Sequence, residues 1–358
     1  MIFHIPMQID VNLHSGSQIR PQKMIQAFKN IGYDVDIVMG YIKDRKEQIR
    51  KIKQNIKDGK KYDFLYSESS TMPTALTEKH HLPTAPFLDF DFFKFCRVNS
   101  IKVGLFYRDI YWVFNEYKEN IPWIKYKFAN FFYKFDLNKY KEVIDVFYLP
   151  SLQMYNYIPL NLEKKVVALP PGIEEKELKQ YNCSKNIRFI YVGGISSLYD
   201  LTLFVNVISK FKDIYFNLCA REKEWFLNKA QYQKNINSIT VHHISGFELA
   251  KVYEQSDIGI YFIKTNELWS FAVGVKLFEY ISYKKPIIAV KNTSVGDFVE
   301  ANDIGWVIEY DEIQLKDLIT DIQNNPSQIK NKIKNIGKII PQHTWEARAL
   351  QVQKDLTI

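Results

Sequence analysis

Phe271-Ala-Val-Gly-Val-Lys-Leu-Phe-Glu-Tyr-Ile-Ser-Tyr-Lys-Lys-Pro-Ile-Ile-Ala-Val290 reads as a helix running into a buried strand. Val275, Phe278, Tyr280, Ile281 and Tyr283 supply much of its apolar surface. Pro286 ends the helix, because its ring clashes with the preceding turn. Ile287 to Val290 is a short continuous apolar run, the pattern of a strand covered on both faces. Lys276 and Glu279 fall on one face near the helix start. A helix N-terminus favours anions, so a cation there points to a phosphate-bearing ligand. The plainer reading of the same two residues is a surface Lys–Glu pair.

Working outward, the stretch is one element in a repeating scheme. Ile2–Ile5, Asp34–Met39, Asp63–Tyr66, Lys102–Tyr107 and Val146–Leu149 read as short buried strands, with helices over Gln18–Ile31 and Lys43–Lys57. The second half repeats the alternation. Its strands are Arg188–Val192, Ile214–Leu218, Ser238–Val241, Ile258–Phe262, Ile287–Val290 and Trp306–Ile308. Its helices lie near Leu201–Phe211, Phe247–Gln255 and Val273–Ser282. Such alternation predicts parallel sheets flanked by helices, hence an α/β fold of two doubly wound domains. Leu169-Pro-Pro-Gly172 divides the halves, since two prolines and a glycine stop regular structure. The expected domains are 1–168 and 173–341, with a final helix in 342–358 packing back on the first. Two such domains would meet at a cleft formed by the carboxyl ends of their strands.

With 358 residues, 46% hydrophobic and 25% charged, the chain has the composition of a globular protein with two cores. It has no apolar run long enough for a membrane helix. Met1-Ile-Phe-His-Ile-Pro-Met7 lacks the basic start and apolar length of an export signal, which leads us to expect a cytoplasmic location. Cys96, Cys183 and Cys219 form neither a metal pattern nor a disulfide framework. Residues 1–170 hold 25 Lys and Arg against 18 Asp and Glu, a net of +7, whereas residues 171–358 hold 23 against 22, a net of +1. A basic first half points to nucleic acid or an anionic membrane surface, unless it merely follows the Lys-rich usage of the chain. No nucleic-acid-binding motif is present. Trp123–Phe135 mixes basic and aromatic residues at helical length, so residues 123–141 are read as a peripheral membrane contact; the alternative is a helix on its own domain with lysines reaching outward.

Four stretches now combine. Lys276–Ile288, Tyr191-Val-Gly-Gly194 with Tyr199-Asp200, His243-Ile-Ser-Gly-Phe247 with Leu249 and Tyr253–Ile258, and Ser17–Pro21 with Gly32–Val35 occur in that relation across both halves. Together they resemble GT-B glycosyltransferases, especially the family 4 group. The resemblance covers nearly the whole chain. It implies two Rossmann-like domains facing across a cleft, with a nucleotide-sugar donor, UDP- or GDP-linked, as substrate rather than a cofactor. Lys276 would hold the donor phosphates and Glu279 its ribose. Gly193, Gly194, Arg221, Ser245, Tyr261, Val275 and Ser17 would complete the donor contacts. Two departures stand out. Phe271 occupies the place of a further family glutamate, and the loop Ile195–Asp200 lacks the family's Arg and Lys. Both resemble a branch that includes the xanthan glucuronosyltransferase.

Asp109, after the strand Lys102–Tyr107, is the candidate general base for an acceptor hydroxyl, with Arg108 tuning its acidity or binding an acidic group. The alternative is an Arg–Asp pair capping the turn. Glu68, with Ser69 and Ser70, follows another strand and is either a second catalytic carboxylate or part of an N-cap cluster. His14 is a loop histidine in a small Gly/Ser loop. Asp89-Phe-Asp91 reads as a helix start rather than a metal site, and no metal is expected. The resulting expectation is a sugar transfer to a glycan or lipid-linked acceptor in capsule, exopolysaccharide or lipopolysaccharide assembly at the inner face of the membrane. The alternative is a non-catalytic GT-B subunit that stabilises an active partner.

Overall fold

The computed structural model describes residues 1–10, 16–176, 186–196 and 199–357; His14 and Cys183 lie outside them. In chain order the first elements are β1 (Ile2–Ile5), α1 (Gly16–Asn30), β2 (Asp36–Met39), α2 (Ile42–Lys57), β3 (Phe64–Glu68) and α3 (Leu88–Val98). They continue with β4 (Lys102–Phe106), α4 (Asn115–Glu119), α5 (Trp123–Val143), β5 (Val146–Leu149) and β6 (Lys165–Ala168). Next come β7 (Ile187–Val192), α6 (Thr202–Ile208), β8 (Ile214–Cys219), α7 (Glu222–Asn228), β9 (Thr240–His242), α8 (Gly246–Gln255) and β10 (Ile258–Tyr261). The last are α9 (Val275–Ser282), β11 (Ile287–Val290), α10 (Ser294–Ala301), β12 (Gly305–Ile308), α11 (Glu312–Asn324), α12 (Ser327–Ile339) and α13 (Trp345–Thr357).

Two compact units result: Met1–Gly172 with Trp345–Ile358, and Ile173–Thr344. The first unit has a parallel sheet in the order β2-β1-β3-β4-β5-β6, the second a parallel sheet in the order β12-β11-β10-β7-β8-β9. The second is a Rossmann order, reversing between β7 and β10; the first reverses between β1 and β3. Ligands of open α/β sheets bind beyond the carboxyl ends of the strands at such reversals.

The central strands are continuous apolar runs because both faces are covered. All four residues of β1, β5, β10 and β11 are buried. In the first unit α13 lies against this sheet, burying Ala349, Val352 and Leu356. Its Arg348 donates from Nε to the carbonyls of Pro170 and Pro171 at 3.1 and 3.4 Å. A Cβ on Gly172 would fall 2.6 Å from the Trp345 ring, so only glycine lets the chain pass there. Within the second unit the outgoing and returning passages adjoin, Ile173 N–H donating to the His343 carbonyl at 2.8 Å.

The expected elements are present but shifted at their ends, and α7, α10, α11 and α12 come in addition to the expected helices. α9 starts at Val275 rather than Val273 and buries Leu277 with Phe278, Tyr280 and Ile281, leaving Val275 and Tyr283 half-buried. β6 was not anticipated: Lys165–Ala168 is a half-exposed edge strand with little apolar run to signal it. No helix of the described residues is long and apolar enough to cross a membrane.

Candidate functional site

In the second unit the site is built at the sheet reversal. Tyr191, near the end of β7, is buried and faces the first turn of α9. The Lys276 ammonium sits 3.7 Å from the centre of the Tyr191 ring and 5.3 Å from those of Tyr199 and Tyr261. A cation over ring faces is attracted by their quadrupoles, but ring faces do not replace water as partners. Burial therefore pushes the Lys276 amine down to about 7, although nearby Glu279 opposes the shift. Gly193 has φ +151°, and a Cβ on it would lie 2.8 Å from both Cε and Nζ of Lys276. The glycine after β7 thus makes the space that the lysine occupies.

Glu279, one turn along α9, accepts from the Tyr253 hydroxyl at 3.2 Å. Burial holds its carboxyl above the usual range, against the pull of Tyr253 and Lys276. Tyr253 is itself stacked on Tyr283 with ring centres 4.3 Å apart. Tyr280 anchors the helix to the sheet, donating to the carbonyls of Ile260 and Ile190 at 3.1 and 3.3 Å. Lys276 and Glu279 are therefore half-buried and held by tyrosines, not an exposed surface pair.

The remaining expected residues divide. Tyr261 joins the lysine, and its hydroxyl would meet a Cβ on Gly274, the residue before Val275, at 3.1 Å. Gly194 accepts from the Tyr191 hydroxyl at 2.8 Å. Arg221 is 74% exposed at its side chain and bridges to Glu224 at 2.6 Å, while Glu224 also accepts from the Ile195 N–H at 3.2 Å. Ser245 precedes α8 without capping it through its side chain. Ser17 lies in α1 of the other unit. Tyr191, Tyr199 and Tyr253 lie in the stretches that carry the resemblance, but the sequence does not show that the first two set ring faces against the lysine and the third a hydroxyl against the glutamate.

In the first unit Glu68 is fully buried at the end of β3. One carboxylate oxygen lies 3.3 Å from Arg20 Nε and accepts from Tyr66 Oη at 3.1 Å; the other meets Arg108 Nη2 at 2.9 Å. Arg20 also lies over the Phe106 ring at 3.6 Å. Arg108 thus pairs with Glu68 rather than with its neighbour Asp109, and its backbone N–H donates to Ser69 Oγ at 2.9 Å. Ser70 Oγ accepts from Met72 N–H at 3.1 Å, a local turn rather than a helix cap.

Asp109 is half-buried and accepts from the Tyr111 backbone. Burial pushes its carboxyl up to about 6, with Arg108 pulling the other way. It lines a cavity with Ser69, Ser70, Tyr107, Tyr133 and Asp136. A carboxyl at that acidity beside an open space can take a proton near neutral pH. Asp136, from the inward face of α5, was not foreseen.

His4, Ser67 and Asp89 form a linked set, Ser67 Oγ to Nδ1 and Asp89 Oδ1 to Nε2, both at 2.8 Å. Arg45 completes it at 3.1 Å from Asp89. All four side chains are buried, so the connectivity of a hydrolase triad here has no access to substrate. Asp89 and Asp91 stand in the first turn of α3. No group of three or more His, Cys, Asp or Glu among the described residues could hold a metal ion. Cys96 and Cys219 are buried free thiols, each pushed up to about 12 by burial.

The sequence matches no family model and no curated protein. Solved structures do match. Sucrose-phosphate synthase from Thermosynechococcus elongatus aligns with a TM-score of 0.65 at 15% identity, over 99% of this chain and 97% of that one. HepE of Anabaena, solved in complex with UDP, gives 0.67 at 10% identity over 99% of both chains. WaaG, a glycosyltransferase involved in lipopolysaccharide biosynthesis, gives 0.62 at 9% identity over 100% of both. At such identities the likeness is one of architecture: two parallel six-stranded sheets with flanking helices, the GT-B fold of glycosyltransferases.

Proposed function

We propose that this chain is a glycosyltransferase that moves a sugar from a nucleotide donor to a hydroxyl of a glycan or lipid-linked acceptor. The observation that carries the reading is the Lys276 ammonium at the N-terminal turn of α9, against tyrosine ring faces at a sheet reversal. A donor pyrophosphate would give that cation the anionic partner that ring faces do not supply, with the helix end adding its dipole. Glu279 accepts from the ribose hydroxyls. In the other unit Asp109 takes the proton as the acceptor oxygen attacks the anomeric carbon, and the nucleoside diphosphate leaves. HepE has been solved with UDP and with UDP-glucose, which favours a UDP-linked donor. Developing phosphate charge is met by Lys276 and the helix end, so the transfer needs no divalent metal; Asp89 is committed to His4 and Arg45.

The setting we propose is polysaccharide or lipopolysaccharide assembly at the cytoplasmic face of a membrane. α5 exposes Trp123, Ile124 and Phe131 at 66, 74 and 63% beside Lys127, whose ammonium lies 5.9 Å from the Trp123 ring. Aromatic rings at headgroup level with lysines on anionic lipid suit a peripheral contact.

The test is calorimetry with UDP-glucose, UDP-galactose, UDP-glucuronic acid and GDP-mannose, followed by turnover of the tightest binder in excess chelator. Binding with turnover supports the reading. Binding without turnover on any acceptor favours the non-catalytic subunit, and no binding removes the donor site. Loss of turnover in chelator, restored by Mg²⁺ or Mn²⁺, overturns the metal-free mechanism.

A further inference from the structure

The cavity beside Asp109 holds an unanswered acceptor. Asp136 is only 4% exposed, yet a carboxylate is buried at low cost only when its oxygens are paired. Its Oδ2 accepts from the Thr74 N–H at 2.6 Å. Its Oδ1 is buried with no hydrogen-bond partner among the described residues. Of the hydroxyls around it, Tyr133 donates to the Thr71 carbonyl at 2.7 Å, Tyr140 and Thr74 Oγ1 share a hydrogen bond at 2.8 Å, and Tyr107 accepts from Trp112 Nε1 at 3.1 Å; none of them is bonded to Oδ1. The cavity that Asp136 lines with Asp109 has a volume of about 10 Å³, room for one water-sized group. A whole sugar ring does not fit there, but one hydroxyl projecting from it does.

We propose that Asp136 fixes the orientation of the acceptor, its Oδ1 accepting a hydrogen bond from one hydroxyl of a pyranoside while a neighbouring hydroxyl faces Asp109. This rests on the acceptor side of the function proposed above. Burial pushes the Asp136 carboxyl up to about 7, and a hydroxyl donating to Oδ1 favours its ionised form and draws it back down. A site built to pair with a hydroxyl rejects the analogue that lacks it, because the buried oxygen is again left alone. Asp136 is thus a specificity-determining residue, and Asp109 the base.

The experiment is binding, without donor, of methyl α-D-glucopyranoside, methyl α-D-galactopyranoside, methyl α-D-mannopyranoside and their single-deoxy analogues to the full chain, read by NMR titration. At least one parent glycoside binds, and loss of one particular hydroxyl weakens it about tenfold or more, the scale of a hydrogen bond to a charged group. In Asp136→Ala the parent binds as weakly as that deoxy analogue, and the two no longer differ. Asp136→Asn keeps the Thr74 contact and the fold, and gives an intermediate loss. Unchanged affinity in Asp136→Asn, a deoxy penalty that survives in the variants, or no binding by any glycoside overturns the proposal, and the cavity then holds only water. Absence of nucleotide-sugar turnover with this binding pattern intact sinks the transfer reading instead.

Discussion

The two units hold their buried cations in different ways. In the first, guanidinium groups have carboxylate partners: Arg20 and Arg108 close on Glu68, and Arg45 on Asp89. In the second, Lys276 faces ring carbons and Glu279 leans on a tyrosine hydroxyl. A carboxylate already beside a guanidinium lowers what a further anion would gain there. A cation set against aromatic faces has surrendered hydration without gaining an anion, so an incoming phosphate is the larger gain. Charge alone therefore does not mark a binding site; charge left short of partners does.

Five measurements would break or sharpen that contrast. The largest effect is expected at Asp109. Asp109→Asn should lower turnover by about 10²–10⁴-fold, the range for a positioned base, while donor affinity measured on the same variant stays put. A donor affinity that falls as far as turnover would place Asp109 in the donor site. Next comes Glu68→Ala, which strands two buried guanidinium groups and should cost about 3–5 kcal/mol in denaturant unfolding. A small stability loss with abolished turnover would make Glu68 a catalytic group instead.

Lys276→Met and Glu279→Ala should each weaken nucleotide-sugar binding by about 1.5–3 kcal/mol with little change in thermal stability. Unchanged affinity in calorimetry would dissolve the contrast from the other side. The pH profile follows from the same residues. In the proposed role Asp109 must be deprotonated to act as the base, so kcat/KM should rise as pH climbs through about 6. In the proposed role Lys276 must be a cation to hold phosphate, so kcat/KM should fall as pH passes about 7, and Lys276→Arg should carry the falling limb upward. The smallest effect belongs to Arg221. Its exposed bridge to Glu224 predicts under about 1 kcal/mol of donor affinity lost in Arg221→Ala.

Much of this architecture is written locally. Val, Ile and Phe runs between polar punctuation give the strands, and Pro286 and Leu169-Pro-Pro-Gly172 mark where elements stop. Lys276 and Glu279 are legible because one helix turn carries both. The Arg20–Glu68–Arg108 cluster is not, since its members come from three elements far apart in the sequence and only the sheet order brings them together. Arg108 next to Asp109 invited a pairing that the strand end does not make. Asp136 was hidden differently. The basic and aromatic residues of α5 drew attention to its outer face, while Phe132, Tyr133, Leu137 and Tyr140 define an inner one. A carboxylate among those buried positions was the signal available.

α13 has a consequence for how the protein is made. The chain departs from the first unit at Gly172 and supplies its missing helix only at Trp345, after all of the second unit has been synthesised. Until then the sheet surface destined for Val352 and Leu356 stays uncovered, and Gly172 has no indole to pass beneath. The second unit is contiguous and can close while the ribosome is still at work; the first must wait for the segment that begins at Trp345. Nascent first units are thus the exposed species during synthesis. Arg348, whose side chain grips both proline carbonyls, acts as the latch whose arrival ends that vulnerable interval.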